Sequence, residues 1–276
     1  MPIIQNDVDH VIRSFLTYDE CQKCYYGVKT NVDWWSDVTA YSALDTDTDD
    51  DLRNFPNLKV LHCGNAHFTD GALKHVPQLR ELDCGRKSNF TDDGLKHVPQ
   101  LRELDCGRKS NFTDDGLKHV PQLRELVCGE SEITDDGLKH VPQLRVLHGN
   151  RNFTDDGLKH VPQLQELFCG ESQLLSDGCL NHVPHLNVLH CGECHHFSDD
   201  GLKRVPHLTE LYCDWCEEFT DDGLRHVPQL RLLVCHDNKN FTDDGLKHVP
   251  QLQELYCNRN KNFTNDGLRH VPNLKH

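Results

Sequence analysis

The sequence predicts an α/β solenoid of about ten coils, each 20–22 residues long, and three observations predict it. Eleven prolines from Pro56 to Pro272 recur at intervals of 20 to 22 residues, a period that signals stacked supersecondary units. Residues 79–100 and 101–122 are the same string, LRELDCGRKSNFTDDGLKHVPQ, so at this point the unit is duplicated outright. Within each unit an apolar alternation, L-x-x-L-x-C, precedes the polar run T-D-D-G-L-K-H-V-P.

The alternation comes first in the unit and reads as a short strand with one buried edge, opening ten times between Leu58 and Leu252. The polar run then reads as a single helical turn on the opposite side. Thr91 is a good N-cap, Asp92 and Asp93 fall in the first turn where the dipole favours anions, and Lys96 and His97 fall where it favours cations. Pro99 stops the turn. Phe90, Leu95 and Val98 point inward, and because one coil cannot bury them alone, stability accrues from neighbouring coils. The pattern resembles the leucine-rich repeat, with Cys in the third apolar slot, and the T-D-x-G-L run is similar to the cysteine-containing class found in F-box proteins. That resemblance implies a horseshoe with parallel strands on its concave face.

Of 14 cysteines, nine occupy that inner slot, where an odd ladder has no natural pairing scheme. Free thiols packed as small hydrophobes in a reducing compartment are expected. Cys191-x2-Cys194 and Cys213-x2-Cys216 match a zinc-ribbon spacing, but the repeat accounts for them, since Asn238 and Asn260 take the second slot in later units. The recurring histidine of H-V-P reads as solvated helix-end surface, and the Asp-Asp pairs as caps rather than a calcium loop. No catalytic set stands outside the repeat. The expectation is a non-enzyme without metal or cofactor.

Residues 1–47 differ in kind. Ile4, Val8, Val11, Ile12, Phe15 and Leu16 recur at helical spacing, and Thr17-Tyr18-Asp19-Glu20 makes a capping box before a second stripe from Cys21 to Val28. This order, with Trp34 and Trp35 after it, resembles the F-box, although Gln5 and Tyr18 stand where that family has prolines. The resemblance implies docking on the S-phase-kinase-associated adaptor of a cullin-RING ubiquitin ligase through Ile4, Val8, Ile12, Phe15, Leu16 and Cys21. A plain helical cap on the first coil is the alternative. Residues 48–276 form the array, with Thr48–Pro56 as the convex half of a degenerate first coil.

A net charge of −15 opposes binding to nucleic acid and anionic membranes and favours a protein partner with a basic surface. Among the outward strand positions, Glu81, Asp83, Glu103 and Asp105 form an acidic zone. Phe168, Tyr212, Trp215, Val234 and Tyr256 form an aromatic and apolar zone of the composition enriched in binding hot spots. Both are expected to bind partners on the concave face. With no secretory signal or spanning segment, a cytoplasmic protein is expected. Near-identical units resemble in style the expanded F-box and repeat families of large DNA viruses, which implies host cytoplasm or virion. The final core layer at Leu255, Phe263 and Leu268 is expected to be partly open, a site for self-association.

Overall fold

The computed structural model describes residues 38–275 apart from 88, 108–110, 130 and 171. The F-box-like positions Ile4, Val8, Ile12, Phe15, Leu16 and Cys21 lie outside the described residues. The array occupies the unit Ser36–His276. Its eleven strands are β1 (Ala40–Ser42), β2 (Val60–His62), β3 (Glu81–Asp83), β4 (Glu103–Asp105), β5 (Glu125–Val127), β6 (Val146–His148), β7 (Glu166–Phe168), β8 (Val188–His190), β9 (Glu210–Tyr212), β10 (Leu232–Val234) and β11 (Glu254–Tyr256). They form one parallel sheet in chain order, each strand in register with the equivalent residues of the next. The fold is a solenoid in which every coil touches its sequence neighbours.

β1 lies ahead of residue 48, where the motif begins to be readable. Tyr41 takes the slot filled elsewhere by the second Leu, pairing in register with Leu61, and its ring stacks on Phe55 at 4.5 Å. Its hydroxyl donates to Asp47 at 2.6 Å. An aromatic with a polar tip therefore opens the sheet without the leucine signature.

Burial follows the repeat. The inner leucines and phenylalanines of the middle coils, such as Leu164, Leu167 and Phe197, are fully enclosed. Cys63, Cys84, Cys106, Cys128, Cys169, Cys191, Cys213 and Cys235 are buried free thiols, while Cys257 in the last ladder position is half-buried. Burial pushes the Cys84 thiol well up and that of Cys128 to about 12. Gly149 interrupts the ladder where the coil is shortest, and the Phe153 ring packs against the space a side chain would need.

The two aspartates after each cap have separate tasks, and neither is simply a dipole partner. Thr91 caps its turn by accepting from the Asp93 N–H at 3.3 Å. It also donates through its hydroxyl to Asp70 Oδ2 of the preceding coil at 2.6 Å, while its N–H donates to Asp70 Oδ1 at 2.8 Å. The same pair of bonds joins Asp92 to Thr113, Asp199 to Thr220 and Asp221 to Thr242. The first aspartate thus staples its coil to the next. The glycine beside it is required by close approach, because a Cβ on Gly94 would overlap the Asp70 carboxylate. The second aspartate pairs on the exposed surface with Lys three residues on, as Asp93 does with Lys96. Four-residue turns are too short for Lys96 to act mainly on a dipole, so it reaches back to the carboxylate instead.

A second set of coil-to-coil bonds runs through the turns after several of the later strands. Asn238 donates to the carbonyls of Cys216 at 2.8 Å and Phe219 at 3.3 Å. Cys194 and Cys216 take the same slot and donate their thiols to the carbonyls of Cys169 at 3.0 Å and Cys191 at 3.1 Å. The ribbon-like cysteine spacing is therefore used for coil-to-coil hydrogen bonding.

Candidate functional site

The strand face carries two outward columns, since residues of a short strand alternate between core and solvent. The residue after the second Leu gives His148, Phe168, His190, Tyr212, Val234 and Tyr256 on six consecutive strands. Four of these rings form an unbroken stack. His148 and Phe168 lie 3.9 Å apart between centroids and 5° from parallel. Phe168 and His190 follow at 5.7 Å, and His190 and Tyr212 at 4.8 Å. Val234 sits in register between Tyr212 and Tyr256 and continues the column. Tyr256 is half-exposed.

The stack alters the chemistry of its members. Burial holds the imidazoles of His148 and His190 below their ordinary pKa, so both are neutral at pH 7. A neutral imidazole is a flat, weakly polar surface continuous with the neighbouring rings. Tyr212 donates its hydroxyl to Glu210 Oε2 at 3.2 Å, which fixes the ring against the adjacent column. Phe168, Tyr212, Val234 and Tyr256 are therefore brought together, and His148 and His190 join them. The signal for the histidines was present in the sequence, since they share the slot of Phe168 and Tyr212.

Trp215 is not part of this column. It lies beyond the end of β9, in the turn after Cys213, and has a left-handed backbone with φ of 62°. The aromatic alternation does not reach it, because the strand ends before the turn begins. A non-glycine backbone in this conformation costs on the order of 1–3 kcal/mol, and it is held there by the Trp215 backbone N–H, which donates to the His236 carbonyl at 3.2 Å. Trp215 instead borders an open cleft of about 580 Å³ with Arg151, Gln173, Glu193 and His195.

The acidic zone divides by role. Glu81, Glu103 and Glu125 stand side by side on β3, β4 and β5. Partial burial, and then its two acidic neighbours, hold the Glu103 carboxyl above its usual range. Asp83 and Asp105 are committed to structure: each accepts the N–H of the glycine two residues on, Gly85 or Gly107, at 2.8 Å. Those glycines have φ of 63° and 71°, as the tight turn requires.

Among the described residues no group of three or more His, Cys, Asp or Glu side chains is placed to hold a metal ion, and no helix is long and apolar enough to cross a membrane.

Solved structures with the same coil stacking establish the fold class. A functional domain of InlJ from Listeria monocytogenes, which includes a cysteine ladder, matches at a TM-score of 0.57 and 18% identity, over 87% of this chain and 58% of that one. The chain has the leucine-rich repeat fold. A Listeria monocytogenes internalin, inlF, matches at a TM-score of 0.50 and 17% identity, over 81% of this chain and 68% of that one. TLR13 in complex with ssRNA13 matches at 0.55 and 19%, over 80% of this leucine-rich repeat chain but 39% of its own. No protein-family model and no curated protein matches the sequence.

Proposed function

We propose that this leucine-rich repeat protein captures a partner protein on the strand face of β6 to β11, and that the F-box-like segment ahead of Ser36 delivers the captured partner to a cullin-RING ubiquitin ligase. The observation that carries the first half is the four-ring stack of His148, Phe168, His190 and Tyr212. Flat, preordered aromatic surface loses little side-chain entropy on binding and is the composition of interaction hot spots. Glu81, Glu103 and Glu125 extend the surface toward the other end of the array, where a basic segment of the same partner would relieve their mutual repulsion. The second half rests on the F-box resemblance of Ile4, Val8, Ile12, Phe15, Leu16 and Cys21.

Two substitutions test the halves separately. Tyr212→Ala combined with Tyr256→Ala is expected to lower the yield of captured partner by about tenfold or more, each hot-spot aromatic contributing ~1–2 kcal/mol, without changing the unfolding transition. Capture quantified by mass spectrometry at an unchanged level rejects the strand-face assignment. Phe15→Asp is expected to abolish co-purification with the S-phase-kinase-associated adaptor while leaving partner capture intact. An adaptor that never co-purifies with the unaltered protein leaves the array as a scaffolding module that binds its partner without a ligase.

A further inference from the structure

On the strand face of β6 to β11 a second period is superimposed on the coil. The residue before the second Leu alternates along the sheet as Val146, Glu166, Val188, Glu210, Leu232 and Glu254, each in register with the next. The neighbouring column keeps the same rhythm. Phe168, Tyr212 and Tyr256 stand on the strands that carry a glutamate, and His148, His190 and Val234 on those that do not. β7, β9 and β11 therefore each present one carboxylate and one large aromatic ring, whereas β6, β8 and β10 present an aliphatic side chain beside a neutral imidazole or Val234. Toward the other end of the array Glu81, Glu103 and Glu125 fall on consecutive strands, so this alternation belongs to β6 to β11.

The length of the two-coil step selects the conformation of a ligand lying along the columns. Two strand spacings of ~4.8 Å give a repeat of about 9.6 Å. A polyproline II chain turns once in three residues and rises about 9.3 Å in doing so, so every third side chain returns to one edge in step with the glutamates. The other regular conformations fall out of step. Three residues of a β-strand cover about 10 Å, but the third side chain points to the opposite face. Two turns of an α-helix cover about 10.8 Å, and between β7 and β11 the error grows to roughly 2 Å. The two columns lie two residues apart on each strand, about 6.6 Å, within reach of two adjacent edges of a three-sided helix.

Chemistry then selects what those edges carry. The protein itself shows which group seats on a glutamate of this column: Lys275 Nζ lies 2.8 Å from Glu254 Oε1. On β9 the matching carboxylate and ring are held together, Tyr212 donating its hydroxyl to Glu210 at 3.2 Å. Beside the carboxylates, the ordered rings of Phe168 and Tyr212 offer the kind of aromatic surface on which proline-rich chains dock. We infer that β6 to β11 bind a polyproline II segment of the partner that carries lysine or arginine at every third position, its cations on Glu166, Glu210 and Glu254 and its prolines on Phe168, Tyr212 and Tyr256. At Glu254 the partner's cation takes the place of Lys275. This assignment rests on capture by the strand face and names the segment received there. A chain already extended in this conformation gives up little freedom on binding, which suits a preordered face.

Two labelled peptides, titrated with the full chain and followed by fluorescence anisotropy, test it. One has four Pro-Pro-Lys repeats. The other has four Pro-Pro-Pro-Lys repeats, which keep the charge and the conformation but turn successive lysines to different edges. The first is expected to bind with Kd on the order of 100 μM and the second about fivefold or more weakly. Glu210→Gln is expected to weaken binding of the first about threefold and Tyr212→Ala with Tyr256→Ala about tenfold, with circular dichroism unchanged. Asp222→Asn, on the convex surface, is expected to leave it unaltered. Equal affinity for the two peptides overturns the match of spacing, and no binding of the first up to about 2 mM overturns the occupant. Equal weakening by Asp222→Asn and Glu210→Gln reduces the contact to general attraction by an acidic protein and overturns it as well. Failure of strand-face capture itself is read separately, from capture of the natural partner that the double tyrosine variant leaves unchanged.

Discussion

At the scale of single residues, the histidines show how one residue type is divided by its surroundings. Those of the H-V-P turns face solvent, and some accept from arginines of adjacent coils, as His248 does from Arg225 at 3.1 Å. His148 and His190 instead lie against Phe168 and lose water to it. Their folded pKa values are lowered, so the fold favours the neutral form. The stability this contributes is complete above the ordinary value of about 6.5 and is lost as pH falls through the lower folded value. NMR titration of the ring protons is expected to give both midpoints below 6.5, and Phe168→Ala is expected to bring them up toward it by restoring hydration. Midpoints at or above 6.5 in the unaltered protein contradict the stacked arrangement. Phe168, Tyr212 and Tyr256 were legible as a strip because slot and residue type agree. Trp215 was misplaced because proximity in sequence does not reveal that β9 ends three residues earlier.

At the scale of the element, each convex turn repays comparison of its two aspartates. Asp221 accepts both the hydroxyl and the N–H of Thr242, at 2.6 and 2.8 Å, whereas Asp222 pairs with Arg225 on an open surface. The sequence presents them as equivalent first-turn acids, and only the packing of one coil on the next separates them. Asp221→Ala is expected to cost about 1.5–3 kcal/mol, the loss of hydrogen bonds to a charged acceptor together with a stranded Thr242. Asp222→Ala is expected to leave the urea midpoint within error, because exposed ion pairs contribute little. Equal effects from the two substitutions would remove the staple from the account. The same staple explains the glycine of T-D-D-G, which the sequence shows but does not explain.

At the scale of the whole molecule, the period, strand positions and core were legible because a 22-residue repeat states the same instruction ten times. What the repeat does not state is how the array begins. β1 was missed because Tyr41 replaces leucine and is held by Phe55 and Asp47 rather than by a motif. At the other end Leu255, Phe263 and Leu268 are half-buried where their counterparts in the middle coils are enclosed. Between these ends, stability is shared by contacts between neighbours. The outward slots are thereby released from packing duty, and acids and aromatics can segregate along the sheet.

Hydrogen–deuterium exchange, read coil by coil on the protein alone and with its captured partner bound, tests most directly whether the aromatic column is where the molecule grips. Added protection is predicted across β6 to β11 and in the turns that follow them, with the convex segments such as Asp199–Leu202 and Asp221–Leu224 unchanged. Protection confined to those convex segments, with the strands exchanging as before, would contradict it.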